Sequence, residues 1–183
     1  KKKNKIPSFL FFGNLNGLGS KSAINYLLNF IYPTYQRIWG NDGFTIYVCG
    51  SYKLPADLEK KIKKLKNLKL MGFYKDLNSL ASSCHGCLFP IDVPVGNRSR
   101  VVTAMASGWP IIAHKNVSIG NPSLVSKKNC LLAKNATDFS YYSKMLYENK
   151  NLRKKITLNA LKTYNLYFNP KKSLIKFGNF INE

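Results

Sequence analysis

The stretch that decides the fold is PIDVPVGNRSRVVTAMASGWPIIAH, residues 90–114. It follows an apolar run, passes through a turn that contains Pro94 and Gly96, and continues into a short helix rich in small residues. Gly108 ends this helix, and a new apolar run begins after Pro110. A strand, a turn, a helix and a second strand in this order form the repeating unit of an α/β fold.

Two arginines, Arg98 and Arg100, lie where the helix of this stretch should begin. Backbone N–H groups at a helix start have no partner inside the helix, and the helix dipole favours negative charge there. Guanidinium groups can hold phosphate oxygens in pairs, so two of them suit a diphosphate better than a lone carboxylate. The turn therefore predicts a diphosphate site, and the alternative is a solvated helix start that binds nothing.

Apolar runs and helical spacing alternate along the rest of the chain. Strands are predicted at residues 8–12, 44–48, 68–73, 86–89, 111–113 and 129–133, with helices between them. Pro33 is expected to close the first helix, and Asp138 to cap the helix that reaches Tyr147. The pattern predicts an α/β protein, a Rossmann-like three-layer α/β/α sandwich with a parallel sheet of about six strands. We expect residues 1–183 to form a single domain, with residues 170–183 as a tail helix.

Ligands of parallel sheets bind at the carboxyl ends of the strands, where Gly13, Gly72, residues 93–100 and His114 are predicted to lie. The first turn, GNLNGLGSKS, matches neither glycine-rich phosphate-loop pattern, but its backbone can still approach a phosphate. Lys21 is then a phosphate ligand or a solvated lysine at the helix start. Phe73 or Tyr74 can stack on a base, and core packing is the alternative for Phe73.

The charge of the chain is strongly positive. Its 183 residues contain 29 Lys and Arg against 8 Asp and Glu, a net charge of +21. Such a field attracts nucleotide phosphates, nucleic acid or an acidic membrane. The lysine-rich stretch at residues 60–66 is expected to be a solvated helix face, with a membrane-facing patch as the alternative. The chain begins KKKNK without Met, so we expect a piece of a longer protein or a processed chain.

Cysteine spacing argues against a zinc protein, and hydropathy argues against a membrane-spanning protein. Cys84 and Cys87 form a lone CxxC without the second pair of ligands that a zinc site needs. We therefore expect Cys49, Cys84, Cys87 and Cys130 to be buried thiols in a reducing cytoplasm. No apolar run reaches the roughly 18 residues of a membrane span.

The central stretch resembles a family of known enzymes. Its Gly96, Arg98, Gly108 and Pro110 follow in step the nucleotide-sugar pattern in the C-terminal half of retaining GT-B glycosyltransferases, and Arg100 stands where that pattern has Lys. FFGNLN at 11–16, YVCG at 47–50 and LMGF at 70–73 are similar to earlier strands of the same half. The resemblance runs from residue 9 to about residue 169 and implies the donor-binding domain of a group 1 glycosyltransferase.

The resemblance also implies roles for individual residues. Arg98 and Arg100 would be catalytic, because they stabilise the charge of the departing diphosphate. The substrate-binding positions would be Gly13, Asn14, Lys21, Phe73, Tyr74, Val95, Gly96, Asn97, Ser99 and Thr103. Basic side chains rather than a metal would stabilise the negative charge of the departing diphosphate, so neither a metal nor a cofactor is expected. The partners would be a nucleotide diphosphate sugar and an N-terminal acceptor domain of the same protein.

The sequence departs from the family pattern at three positions. Val95 and Thr103 stand where many relatives have glutamates, the second of which grips the ribose, and Asn14 replaces an arginine. We expect a hexosyltransferase-type enzyme that is cytoplasmic or attached to a membrane surface, with this chain alone inactive. Nucleic acid is not an expected partner on this interpretation. The alternative is a non-catalytic basic Rossmann-like module that binds nucleic acid or an acidic membrane.

Overall fold

A computed structural model describes residues 3–94 and 99–170 of the chain. Within these residues, six strands form one parallel sheet in the order β3-β2-β1-β4-β5-β6. The strands are β1 (Ser8–Phe12), β2 (Thr45–Cys49), β3 (Leu68–Gly72), β4 (Gly86–Phe89), β5 (Ile111–His114) and β6 (Leu131–Ala133). The predicted fold class is confirmed, and each predicted strand is present within two residues of its expected bounds.

The centre of the sheet explains why these segments are continuous apolar runs. All residues of β1, β4 and β5 are buried. β1 pairs with β2 and β4 along its two edges, and the burial of all its residues shows that both of its faces are covered as well, so it cannot alternate apolar with polar residues. Burial of the Phe9, Phe11 and Phe89 side chains in this core stabilises the fold by about 1.5–3 kcal/mol each.

Seven helices cover the sheet in the described residues. They are α1 (Leu18–Tyr26), α2 (Tyr32–Trp39), α3 (Ala56–Lys63), α4 (Leu77–Ser83), α5 (Ser99–Ala106), α6 (Ala136–Glu148) and α7 (Lys150–Tyr167). α2 contacts α6, and α5 packs against α7. From β1 the chain proceeds outward to β2 and β3, and from β4 it proceeds the other way to β5 and β6. The two halves therefore diverge between β1 and β4, which makes this the topological switch point.

Pro33 does not close the first helix, contrary to expectation. A π-helical turn, Leu27–Ile31, joins α1 directly to α2, and Pro33 lies in the first turn of α2. Proline is tolerated there because the first-turn N–H groups need no intrahelical acceptor. The helix instead ends at Gly40, whose φ of 71° suits a residue without a Cβ.

Asp138 is not the cap of α6, as the sequence had indicated. The cap is Asn135, whose Oδ1 accepts a hydrogen bond from the Asp138 N–H at 2.9 Å. Asp138 lies inside the first turn, and its Oδ2 accepts from the Lys134 N–H at 2.8 Å. Its carboxylate still stabilises the helix start, since it faces the positive end of the helix dipole.

The predicted burial of the four thiols is confirmed, because all four cysteines are buried and free. Burial raises the pKa of Cys49 and Cys130 to about 12 and that of Cys84 to about 11, so these thiols stay protonated near neutral pH.

Within residues 3–94 and 99–170, no cluster of three or more His, Cys, Asp or Glu side chains could hold a metal ion. In the same residues, no helix is long and apolar enough to cross a membrane. The tail helix predicted after residue 170 lies outside the described residues.

Candidate functional site

The turns at the switch point bring the central stretch next to the first strand. Gly13 follows β1, and residues 90–94 follow β4, the neighbouring strand. Gly13 donates its N–H to the Cys49 carbonyl at 3.1 Å, which continues the pairing of β1 with β2 beyond the strand end. The turns after β1 and β4 therefore begin side by side at the switch point, where ligands of such sheets bind.

Arg100 reaches Gly13 from the first turn of α5. A Cβ atom placed on Gly13 would lie 2.8 Å from Cζ of Arg100, so the guanidinium group packs directly on the glycine backbone. The φ of Gly13 is +144°, a conformation that side-chain-bearing residues rarely adopt. Cζ of Arg100 also lies 5.4 Å from the centre of the Phe11 ring, within the range of a cation–π contact. The arginine thus places its charge at the switch point.

A pocket of 280 Å³ lies beside Gly13, at the carboxyl ends of β1, β2 and β3. It is lined by Phe12, Gly13, Asn14, Cys49, Gly50, Ser51, Phe73, Tyr74 and Leu77. Four of these were predicted as substrate-binding residues. The Phe73 side chain is 77% exposed, so the alternative that it packs in the core is wrong.

The turn after β1 is held by its own hydrogen bonds. Oδ1 of Asn14 accepts from the Asn16 N–H at 3.0 Å, and the Asn14 carbonyl accepts from the Ser20 hydroxyl. The Leu15 N–H donates to the Ser51 carbonyl at 3.0 Å, which ties this turn to the turn after β2. The predicted site residue Asn14 therefore shapes the wall of the pocket, because its side chain is already engaged in the turn.

Three other predicted substrate-binding residues that the structure describes do not line this pocket. Lys21 is half-buried in the first turn of α1, and Ser99 begins α5. Thr103 is exposed, and its hydroxyl donates to the Ser99 carbonyl at 3.1 Å. Packing of Thr103 against the sheet is therefore excluded. The predicted residues Val95, Gly96, Asn97 and Arg98 lie outside the described residues.

A polar network around Asp92, in the segment after β4, was not predicted from the sequence. The Ser22 hydroxyl donates to Oδ1 of Asp92, and the Asn116 side-chain amide donates to the Asp92 carbonyl. The Asn116 N–H donates to Nδ1 of His114 at 3.3 Å. The His114 ring packs edge-on against Tyr26 at 5.6 Å between ring centres. Burial lowers the pKa of His114 and the nearby Asp92 carboxylate partly offsets this effect, so the ring is neutral at pH 7.

Residues 6–149 match the sequence profile of a family described as Glycosyl transferases group 1. The chain belongs to this family. No curated protein matches it by sequence.

The solved structures agree on the fold of this glycosyltransferase domain. HepE (Alr3699) from Anabaena, solved with UDP, has a TM-score of 0.74 and 16% identity, covering 97% of this chain and 49% of its own. The pneumococcal O-GlcNAc transferase GtfA, solved with UDP and GlcNAc, has a TM-score of 0.73 and 16% identity. The match covers 99% of this chain and 36% of GtfA. The C-terminal domain of LpcC, a group 1 family protein from Francisella tularensis, has a TM-score of 0.62 and 22% identity. The match covers 91% of this chain and 89% of that domain.

The matched lengths place this domain within the architecture of its family. It spans about half the length of HepE, and it matches 89% of the isolated LpcC C-terminal domain. This confirms the predicted resemblance to the C-terminal domain of a GT-B glycosyltransferase.

Sequence reasoning found the turns of this glycosyltransferase domain but missed Asp92 and its partners. Ser22 and Asn116 lie 70 and 24 residues from Asp92 in sequence, so no local pattern joins them. One signal was available. Asp92 is one of only 8 acidic residues in a strongly basic chain, and it follows a strand predicted to end at an anion site.

Proposed function

We propose that this glycosyltransferase domain binds a nucleotide diphosphate sugar, with the diphosphate between the start of α5 and the turn after β1. It would serve as the donor half of a hexosyltransferase whose acceptor-binding domain lies elsewhere in the same protein. The observation that carries the proposal is the position of Arg100, whose guanidinium group packs on Gly13 at the switch point. On this proposal the 183-residue chain transfers no sugar by itself.

The geometry supports electrostatic stabilisation of a leaving diphosphate. The contacts of Arg100 with Gly13 and with the Phe11 ring hold its charge in place before a ligand arrives. A charge fixed in advance stabilises developing negative charge without reorganisation during the reaction. Arg98, two residues earlier, would supply a second positive charge. Basic side chains would then do the work that a metal does in other transferases.

The pocket beside Gly13 would receive the base. Phe73 offers an exposed ring at its rim, and stacking on an aromatic ring is open to any base because each has a π-face. Uracil is the first base to test, since HepE and GtfA were both solved with UDP. The ribose would be held weakly, because Thr103 has a single hydroxyl where relatives have a carboxylate that accepts two hydrogen bonds.

Isothermal titration of the protein with UDP and with uridine tests this proposal. Arg100→Ala should weaken UDP binding roughly ten- to hundredfold, because a charge-assisted contact is worth about 1.5–3 kcal/mol. Uridine binding should be unchanged. Arg37→Ala, which removes the same charge from an exposed position in the last turn of α2, is the matched control and should bind UDP like the wild type. Equal UDP affinities for all three proteins would place the site elsewhere.

We further propose that the protein is cytoplasmic and attaches to an acidic membrane surface through α3. Lys60, Lys61, Lys63 and Lys64 are exposed on or directly after this helix, while Leu58 and Ile62 hold its other face in the core. Each lysine near an anionic surface contributes about 1 kcal/mol of attraction. Sedimentation with phosphatidylserine vesicles should lose this binding when Lys60, Lys61 and Lys64 are changed to Gln. Phosphatidylcholine vesicles should bind neither protein, and equal binding of both proteins to acidic vesicles would refute the attachment.

A further inference from the structure

We infer that Asp92 is a positioning residue that ties the turn between β4 and α5 to both of its neighbours in the sheet. The consequence of this tie for nucleotide binding rests on the function proposed above. Asp92 lies between the end of β4 at Phe89 and the start of α5 at Ser99, so it belongs to the connection that leads to Arg100. It is half-buried, and two different segments donate hydrogen bonds to it.

The two bonds come from opposite sides of the switch point. Ser22 lies on α1, the helix that follows the Gly13 turn, and its hydroxyl donates to the Asp92 side chain. Asn116 lies in the short helical turn Lys115–Ser118 after β5, and its amide donates to the Asp92 backbone carbonyl. Asp92 therefore connects the chain segments that leave β1, β4 and β5.

The charge of Asp92 indicates positioning rather than ligand contact. A carboxylate close to a diphosphate repels it, and the rest of the chain is strongly basic. What the tie uses is one side-chain oxygen, Oδ1, as a hydrogen-bond acceptor. An asparagine offers the same kind of acceptor without the charge. The Asn116 bond uses the backbone and does not depend on the side chain at position 92.

The tie sets the distance between the two turns that meet at Gly13 and Arg100. α1 begins at Leu18, five residues after Gly13, and α5 carries Arg100 in its first turn. With Ser22 bonded to Asp92, the segment after β4 cannot move away from α1 without breaking a hydrogen bond. Loss of the tie should therefore weaken diphosphate binding and leave binding in the pocket formed by the turns after β1, β2 and β3 unaffected.

Four single variants of the 183-residue chain, and one double variant, separate this role from charge and from folding. Asp92→Ala and Ser22→Ala each remove the side-chain bond, whereas Asp92→Asn keeps an acceptor and removes the charge. Asp42→Ala, which removes an exposed carboxylate in the loop before β2, is the charge control. Hydrogen–deuterium exchange without nucleotide would be followed in peptides that cover residues 86–94 and 99–106. Titration with UDP and uridine would follow on the same proteins.

The inference predicts faster exchange in these peptides for Asp92→Ala and Ser22→Ala, and wild-type exchange for Asp92→Asn and Asp42→Ala. The two exchange-altering variants should bind UDP about three- to tenfold more weakly, the effect of one lost hydrogen bond, with uridine unchanged. The double variant Ser22→Ala with Asp92→Ala should be no weaker than Asp92→Ala alone, because both changes remove the same bond.

Two results would overturn the inference. One is a wild-type rate of hydrogen–deuterium exchange in Asp92→Ala. The other is an Asp92→Asn protein that exchanges as fast and binds UDP as weakly as Asp92→Ala. Failure of the proposed function has a different signature. In that case the wild type would not bind UDP at all, while the exchange pattern of the unliganded variants would still decide whether the tie exists.

Discussion

Replacing Gly13 by alanine perturbs the contact on which the proposed site depends. Gly13 has a φ of +144°, and a non-glycine residue held in such a conformation costs about 1–3 kcal/mol. The new Cβ would lie 2.8 Å from Cζ of Arg100, closer than carbon atoms can approach. Because the guanidinium group is the mobile end of a long side chain, it would move rather than the backbone. Gly13→Ala should therefore both destabilise the fold and displace the arginine.

The two effects can be measured separately. A loss of about 1–3 kcal/mol lowers the Tm of a domain of this size by roughly 2–12 °C. Displacement of Arg100 should weaken UDP binding roughly ten- to hundredfold, the worth of one charge-assisted contact. Thermal melting gives the first quantity and isothermal titration with UDP gives the second.

Gly40→Ala is the matched control for backbone strain. Gly40 has a φ of +71°, but no atom lies within 4 Å of where its Cβ would be. It follows α2, away from the switch point, so its replacement should lower the Tm and leave UDP affinity unchanged. If Gly13→Ala melted at a lower temperature but bound UDP as well as Gly40→Ala does, Arg100 would not contact the diphosphate from its position over Gly13.

Three further changes test other parts of the site and the core. Thr103→Glu should tighten UDP binding by about 1 kcal/mol with little change in Tm, because residue 103 is exposed and a carboxylate can accept hydrogen bonds from both ribose hydroxyls. A UDP affinity of Thr103→Glu no higher than that of Thr103→Val would contradict this. Phe73→Ala should weaken both UDP and uridine by about 1–3 kcal/mol through lost stacking. The matched control Phe30→Ala, which also removes an exposed ring, should weaken neither, and an equal effect of the two changes on binding would refute stacking at Phe73. Burial lowers the pKa of His85 from 6.5 to about 4, so the native state disfavours its protonation and the unfolding free energy should fall as pH is lowered through that window. In urea titrations His85→Gln should flatten this dependence, leaving the parts that come from His114 and, at the acid end, from Glu59, whose pKa is lowered by its hydrogen bond to Lys63. An unchanged slope would show that His85 is not the group responsible.

The sequence was sufficient for those parts of the structure that depend on local pattern. β1 and β4 were recognised because a strand covered on both faces must be apolar throughout, and both are fully buried. Gly13 and Gly72 were placed at one edge because the carboxyl ends of parallel strands meet there. Gly13 lines one pocket with Phe73 and Tyr74, which follow Gly72, and with Asn14, which the family resemblance had indicated. The exposed position of Phe73 could not be predicted, since an aromatic residue after a strand packs inward or outward according to the neighbouring turns.

Features that depend on strand order could not be read from the sequence. Arg100 could be assigned to a helix start, but its packing on Gly13 requires β4 to be the neighbour of β1. The bond between Ser22 and Asp92 joins residues on two different strand–helix units for the same reason. Pro33 was misread because proline ends a continuous helix, whereas here a π-helical turn precedes it and makes it part of a new first turn.

The central claim is that this domain has one specific site for a nucleotide diphosphate. Titration of the 183-residue chain with UDP, repeated at low and raised salt and beside a polyanion such as heparin, tests it most directly. We predict saturable binding of one UDP per chain, tighter than uridine, with a shallow dependence on salt because only a few charged contacts form. Absence of saturable UDP binding, together with heparin binding that falls steeply with salt, would contradict the claim and identify a general basic surface instead.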